Sequence, residues 1–469
     1  VSPLLTDRIA GHARENPEAI AVVDRRESVT YGDFWERVRR TGAGMNGMRR
    51  VAVLPTSDVG SLVAVTAAMA SGIGVVLLHR HLLPGQFGRV VELAAPDVVI
   101  AAQQQHRRVA SLGWPGPVVG LDGRGPHGSP TEGGELLVGI TSGSTGEPKL
   151  FVRNQRSWAR TLDRSDAVFD VRRGDRVSTP GVLDHTHFLY GALHGLTRGA
   201  AVDVRPAVDA LNSGATHLYS VPTIAWDVVR TDVGPVGSVR EVLSSAARWP
   251  ESGRRTLQNV LPNASLVHFY GASELSFVSY DRGVNPGAGT LFDGVEARIV
   301  DGVVHVRSDM VFDGYLTDEG LAGGPVDGWM TVGDRGSVDG SSLTLFGRNS
   351  ETLIRGGLNV ELAPIEHAAL SISGVLEAGV VAIPDARFGE VPALALVVSA
   401  GAPPVERIRR SLREALPAPS VPTRILEVPA LPRTPRGKLD RQALGATFAT
   451  ERTASSTTNH TVSAPPSKR

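Results

Sequence analysis

The sequence predicts an α/β protein: a large N-terminal domain of layered α/β subdomains with a small β-barrel, followed by a small α+β C-terminal domain. Three observations point there. Short apolar runs bounded by turn residues recur up to residue 140, the pattern of strands buried on both faces. From about 291 to 338 the texture changes to that of a meander or small barrel. After Gly347 helical and strand periods mix again.

In chain order, Leu5, Ile9 and Ala13 have helical spacing, and 19–23 reads as a strand. Thr30 with Asp33 is an acceptable N-cap pair for a helix through about Met45. The runs 51–54, 75–78, 98–101, 118–121 and 136–140 read as buried strands. The longest apolar stretch, 63–78, has 16 residues interrupted by Thr66, Ser71, Gly72 and Gly74, which is too short and broken to span a bilayer. It reads as a helix leading into a strand. Strands 297–300 and 303–306 flank Asp301-Gly302, a hairpin signal. Beyond them, 364–370 starts a helix and 375–383 and 393–398 are strands. Residues 404–416 make an amphipathic helix with Val405, Ile408, Leu412 and Ala415 on one face, ended by Pro417. The domains are therefore expected at 1–348 and 349–446, with a Thr/Ser/Ala/Pro-rich disordered tail over 447–469.

Composition excludes several classes of function. Lys+Arg and Asp+Glu both number 48, which argues against nucleic acid or a polybasic membrane contact. The absence of cysteine excludes disulfides, thiolate metal sites and a cysteine nucleophile. Residues 1–25 meet Asp7, Arg8, His12, Arg14 and Glu15 early, unlike the apolar core of a signal peptide, so a cytoplasmic location is expected. Only three lysines occur, Lys149, Lys438 and Lys468, against 45 arginines. Two of them sit in Gly/Pro-rich motifs, where a slim point charge could reach a phosphate or carboxylate.

The sharpest motif is Thr141-Ser142-Gly143-Ser144-Thr145-Gly146-Glu147-Pro148-Lys149, directly after the run 136–140. Its glycines let backbone N–H groups approach phosphate oxygens, and its hydroxyls add donors. It is not a Walker A loop, because Lys149 follows Gly-Glu-Pro and no Ser or Thr follows it. Nor is it a nucleophile elbow, since Thr141 stands where the serine would be.

This loop resembles the phosphate loop of the AMP-forming adenylate ligase superfamily, which includes acyl-CoA synthetases, nonribosomal-peptide adenylation domains and luciferases. Further motifs follow in the family's order. Tyr270-Gly271-Ala272-Ser273-Glu274 is similar to Tyr-Gly-x-Thr-Glu. Gly328-Trp329-Met330-Thr331-Val332-Gly333-Asp334 is similar to Gly-Trp-Phe-x-Thr-Gly-Asp. Gly347-Arg348 resembles the start of the hinge motif. Gly356-Gly357-Leu358-Asn359-Val360 resembles the Gly-Gly-x-Asn-Val of acyl-CoA ligases, and Pro432-Arg433-Thr434-Pro435-Arg436-Gly437-Lys438 the C-terminal Pro-x-Thr-x-x-Gly-Lys.

The resemblance implies roles for these residues. Thr141, Ser142, Gly143, Ser144, Thr145, Gly146 and Lys149 would hold ATP phosphates. Tyr270 and Gly271 would pack on adenine together with Ala246, and Ser273 would lie near the α-phosphate and the acyl carboxylate. Glu274, with Thr145, would hold Mg²⁺. Asp334 and Arg348 would bind ribose, and Lys438 would bridge carboxylate and phosphate. His185 resembles a histidine at the acyl and pantetheine entrance, Gly356 and Gly357 would line a thiol channel, and Ser350 stands at the hinge of a mobile C-terminal domain. A metal site on His185, His187 and His194 is not favoured, because no further ligand cluster accompanies them. The implied activity joins a small-molecule carboxylic acid to coenzyme A through acyl-AMP, with ATP and Mg²⁺. Alternatives are a stand-alone enzyme loading a carrier protein, activation of a non-carboxylate such as nitrite, and a dead nucleotide-binding protein.

The sequence also departs from the family. Ser244-Ser245-Ala246-Ala247-Arg248-Trp249 replaces a Gly-rich segment between acyl pocket and adenine, Ser350 replaces Asp or Lys, and Pro364 replaces Glu. Leu183-Asp184-His185-Thr186 matches only in part the Phe-Asp-x-Ser of amino-acid activators.

Overall fold

The Val-, Ile- and Ala-rich runs form the centres of two sheets. In the computed structural model, residues 2–457 are described except 119, 121, 126, 143–147, 232, 247–248, 250, 349–351, 356–357, 386 and 435–436. The chain divides into two units, one of residues up to 249 with 253–332 and 337–344, the other of 250–252, 333–336 and everything from 345.

In the first unit, Arg50–Leu54 pairs in parallel with Gly74–Leu77 and Val98–Ala101, and Gly74–Leu77 with Glu135–Ser142. The helix Val59–Ala70 between the first two is buried almost all round. Of the expected strand 118–121, Val118 bridges Val99 in parallel, while 119 and 121 lie outside the described residues. Arg50 grips Glu135 with two hydrogen bonds of 2.7 Å and so ties together two strands of this sheet.

The second sheet has a parallel centre. Its strands Arg176–Ser178, His217–Ser220, Glu241–Ser244 and Ser265–Ala272 run side by side. Antiparallel strands Ser276–Arg282 and Gly289–Leu291 continue it. The expected hairpin joins Glu296–Val300 to Val303–Arg307 through Asp301 and Gly302, both at positive φ (51° and 78°), as a type I′ turn requires. Among the described residues, no helix is long and apolar enough to cross a membrane.

In the second unit, Gly389–Val398 pairs with Thr352–Arg355, Val375–Asp385 and Arg424–Glu427. The helix Val405–Ala415 buries Ile408 and Leu412, two of its four expected face residues. The tail expected from 447 needs correction. The helix Arg441–Thr457 runs through its first eleven residues, while 458–469 lie outside the described residues. Leu444 and Phe448, one turn apart, are 0% and 1% exposed and pack with Val381, Ala393, Ala395 and Leu431. Averaged composition hides two anchors at helical spacing. Phe448→Ala should therefore destabilise the second unit by about 3 kcal/mol, as a large-to-small core change does. Urea unfolding followed by a probe in that unit checks this, and an unchanged midpoint would return the segment to a tail.

Candidate active site

Two strands of the first unit hold the two ends of the Thr141–Lys149 motif. Glu135–Ser142 and Pro148–Asn154 form a hairpin in which Thr141 lies opposite Lys149 and Ser142 opposite Pro148. Residues 143–147, which carry Gly143, Ser144, Thr145 and Gly146, lie outside the described residues. The third strand of this assembly, Gly314–Thr317, pairs with Pro148–Asn154 and sets Tyr315 opposite Phe151. The exposed Lys149 reaches over the Tyr315 ring, with Nζ 5.5 Å from its centroid. On its other side the Tyr315 hydroxyl donates to Glu274 Oε1 at 2.7 Å. The fold thus brings together Lys149 and Glu274, two of the motif residues, through a tyrosine that no motif announces. Tyr315 is recognisable only from the pairing of its short strand.

Tyr270 to Glu274 form the end of the strand Ser265–Ala272 and a tight turn closed by Leu275 N–H to the Ala272 carbonyl at 3.2 Å. A Cβ on Gly271 would stand 2.1 Å from the Ser276 carbonyl oxygen, so only glycine fits. Ser276 itself takes a positive φ of 60°, and its hydroxyl is anchored to Thr161 at 2.8 Å. Strain held by packing is common beside functional groups. Tyr270 and Ser273 are partly exposed, whereas Glu274 is buried with 9% exposure. Ala246, exposed and at φ 72°, holds a left-handed backbone in the segment that departs from the Gly-rich pattern.

His185 caps the N-terminus of the helix Thr186–Thr197 with its ring 5.3 Å from that of His79, edge to face. Ligand-type atoms of His79, Asp184 and His185 all lie within 4.8 Å of one another. The Asp184 side chain is fully buried, takes the Arg80 backbone N–H at 3.1 Å and faces the Arg80 guanidinium at 3.5 Å. His79 Nδ1 accepts the His81 backbone N–H at 3.2 Å, which puts the proton of the neutral ring on Nε2, towards Asp184. That nitrogen then has no lone pair for a metal, and the cluster reads as a support for His185. His187 packs its ring on Tyr219 and Phe269, and His194 bonds the Tyr219 hydroxyl and Asp166, so the three histidines do not converge.

In the second unit, Lys438 is exposed on a short loop. Thr434 N–H donates to the Lys438 carbonyl and Gly437 N–H to the Thr434 carbonyl, each at 2.8 Å. Arg433 bonds the Gly437 carbonyl at 3.1 Å and pairs with Glu377. The loop that carries the lysine is thus clamped from within. Asp334 is 8% exposed and opens the strand Asp334–Asp339 after Gly333 at φ 80°. The side chain of Arg348, and all of Ser350, Gly356 and Gly357, lie outside the described residues, as does the Ser142 side chain.

Two further histidines flank the sheet end. Burial pushes His187 down to about 4. Burial, with the Arg254 charge nearby and then His187, pushes His268 down to about 3.

Comparisons with known proteins follow this geometry. Residues 9–316 match the family model described as AMP-binding enzyme, and 364–438 that of the AMP-binding enzyme C-terminal domain. YhfT of Bacillus subtilis strain 168, named an uncharacterized acyl-CoA ligase, is 29% identical over 474 residues, covering 93% of this chain and 97% of its own length. The crystal structure of ATP-bound MatB from Rhodopseudomonas palustris superposes with a TM-score of 0.84 at 21% identity, covering 94% of this chain and 99% of that one. The amide bond synthetase McbA from Marinactinospora thermotolerans gives 0.80 at 24%, with 94% and 99% covered. At these identities the two structures establish the fold.

The depressed histidines set a pH dependence. An unfolded histidine titrates near about 6.5. Between that value and the folded ones the unfolded chain binds more protons, so stability falls as pH drops through this window. Each histidine contributes at most ~1.4 kcal/mol per pH unit. Urea midpoints at a series of pH values should decline on acidification, and His187→Phe should flatten the decline. A midpoint independent of pH would contradict the buried neutral rings.

Proposed function

The chain belongs to the AMP-binding enzyme family and is an ATP-dependent, AMP-forming ligase, and from that premise we propose that it joins a carboxylic acid to the thiol of coenzyme A. The carboxylate oxygen attacks the α-phosphorus of ATP, forming acyl-AMP and releasing pyrophosphate. The thiol sulfur then attacks the acyl carbon and AMP leaves. The observation that carries the reading is the Lys149–Tyr315–Glu274 arrangement, a cation over the ring and a buried carboxylate on the hydroxyl of one tyrosine, with Lys149 closing the Gly/Ser/Thr motif in sequence. The acyl-CoA ligase name of YhfT supports the choice of acceptor.

The first step brings two anions together, so cations must offset their repulsion. We assign Lys149 and the loop from Thr141 to the phosphates, and Lys438 to the charge between carboxylate and α-phosphate. Tyr270 would pack on adenine and Ser273 orient the α-phosphate, while Asp334 and Arg348 take the ribose. Glu274 fits Mg²⁺: Tyr315 occupies Oε1, which leaves Oε2 as the hard anionic donor that such an ion takes. Bound there, the ion would neutralise the leaving pyrophosphate. We assign His185, whose ring meets that of His79, to the thiol entrance, and the Gly356-Gly357 motif to the thiol channel. Asp184 is engaged with Arg80, which leaves it poorly placed to hold an α-amine and weighs against amino-acid activation.

Pyrophosphate release across a panel of carboxylic acids, with and without CoA, tests the reading. Acid-dependent release with thioester formed only when CoA is added is expected, and acid-dependent release without any thioester would move the acceptor elsewhere. Lys438→Ala should lower acyl-AMP formation by about 10²–10³ and leave thioester formation from supplied acyl-AMP much less affected. Equal losses in both steps would remove Lys438 from its assigned role.

A further inference from the structure

The strand Pro148–Asn154 that carries Lys149 also carries a buried cation that the reaction steps above do not use. Arg153 stands four residues further on, on the same face of the strand and about 13 Å along it. Lys149 is exposed, whereas Arg153 is 5% exposed. The Arg153 guanidinium donates to two hydroxyls, Ser157 Oγ at 3.0 Å and Thr161 Oγ1 at 3.2 Å. These stand one turn apart on the helix Gln155–Val168, and a planar fork spans both. Burial pulls the guanidinium down to about 10, with the Asp313 carboxylate and then Tyr190 working the other way. It therefore stays charged at neutral pH. A buried charge lowers stability relative to a well-packed apolar side chain, and what this one holds is a chain of hydroxyls that ends at the turn of Glu274.

The chain has a direction. The Thr161 hydroxyl donates to the Ser157 carbonyl at 2.9 Å, which leaves its oxygen to accept. It accepts from Arg153 and from Ser276, whose Oγ lies 2.8 Å away, because Thr161 has no second proton to give. Ser276 is where the turn of Glu274 ends. It holds a φ of 60°, which a side chain disfavours, and its carbonyl oxygen stands 2.1 Å from where a Cβ on Gly271 would be. The bond to Thr161 ties this strained residue to the helix. The segment before Tyr315 grips the turn as well. Phe312 N–H donates to the Glu274 carbonyl and Asp313 N–H to the Val152 carbonyl, each at 2.9 Å. Glu274 is thus held by its carboxylate through Tyr315, by its carbonyl through Phe312, and by the end of its turn through Ser276.

We propose that Arg153 is a positioning residue for the ligase reaction: through Thr161 and Ser276 it fixes the turn that aims the Glu274 carboxylate at the ion on the ATP phosphates. This rests on the assignment of Glu274 to Mg²⁺ made above. A ligand to a hard ion works only within a few tenths of an ångström, and the groups behind a ligand set its affinity by about 10–100-fold. The arginine fork suits that task, since it fixes two hydroxyls on one helix face where a point charge fixes only one.

The test measures ATP affinity by calorimetry, once with Mg²⁺ and once with a chelator, without acid so that no turnover contributes. The ratio of the two affinities is the gain due to the ion. Glu274→Gln should remove most of the native gain. Arg153→Met and Thr161→Val should each reduce it by about 10-fold and leave the affinity in chelator unchanged. In pyrophosphate release, both should need more Mg²⁺ to reach half-maximal rate. Thr161→Ser, which keeps the hydroxyl, should behave as the native chain. The double variant of Arg153→Met and Thr161→Val should lose no more than either alone, because both act through one hydroxyl. A merely structural Arg153 would lower the melting temperature and both ATP affinities together. That outcome overturns the proposal, as does an unchanged gain in either folded variant. Where Arg153→Met does not fold, the contrast between Thr161→Val and Thr161→Ser decides. If Glu274→Gln keeps the full gain, the assignment of Glu274 fails first and the proposal with it.

Discussion

A buried carboxylate needs donors, and the first unit is arranged to give Glu274 one. Its turn is fixed by the close approach of Gly271 to Ser276, which leaves the side chain 9% exposed and away from bulk water. Tyr315 then supplies the hydroxyl, and it can do so only because Gly314–Thr317 pairs with Pro148–Asn154. The same pairing lays the Tyr315 ring under Lys149. One strand contact thus sets the spacing between the positive and the negative group of the proposed phosphate site. A shift of that ladder by one residue would turn Tyr315 to the opposite face and release both.

The division of labour among cations follows from their shapes. Arginine forks hold the frame: Arg50 on Glu135 joins two strands, Arg254 on Asp281 supports Trp249, and Arg433 on Glu377 clamps the loop of Lys438. A planar fork fixes geometry when both oxygens are taken, whereas an ammonium is a compact charge on a flexible stem. With 45 arginines in the chain, the lysines retained at 149 and 438 stand where a mobile point charge has a use. Lys149 accordingly meets an aromatic ring rather than a carboxylate fork.

What was legible in the sequence is what depends on near neighbours. The Tyr270–Glu274 turn and the Asp301-Gly302 hairpin each encode their geometry within a few residues. Tyr315 was not legible, because its importance comes from a strand more than 150 residues earlier in the chain. Register hides other relations too: Ser220, Ser244 and His268 are unremarkable until pairing sets them side by side. Phe448 failed for another reason, since a tract rich in Thr, Ser and Ala masks a pair of anchors that only helical spacing connects.

The departure at 244–249 can now be given a physical sense. Trp249 is bulky and 1% exposed, and a large buried ring needs a rigid mount. Arg254 provides it, bonding the Trp249 carbonyl at 3.1 Å and stacking 5.4 Å from the ring, while Asp281 compensates its buried charge. Removing Asp281 would leave that guanidinium uncompensated, a larger loss than the pair itself contributes. The same Arg254 charge opposes protonation of His268. A single ion pair therefore both braces Trp249 and sets a charge that opposes protonation of His268.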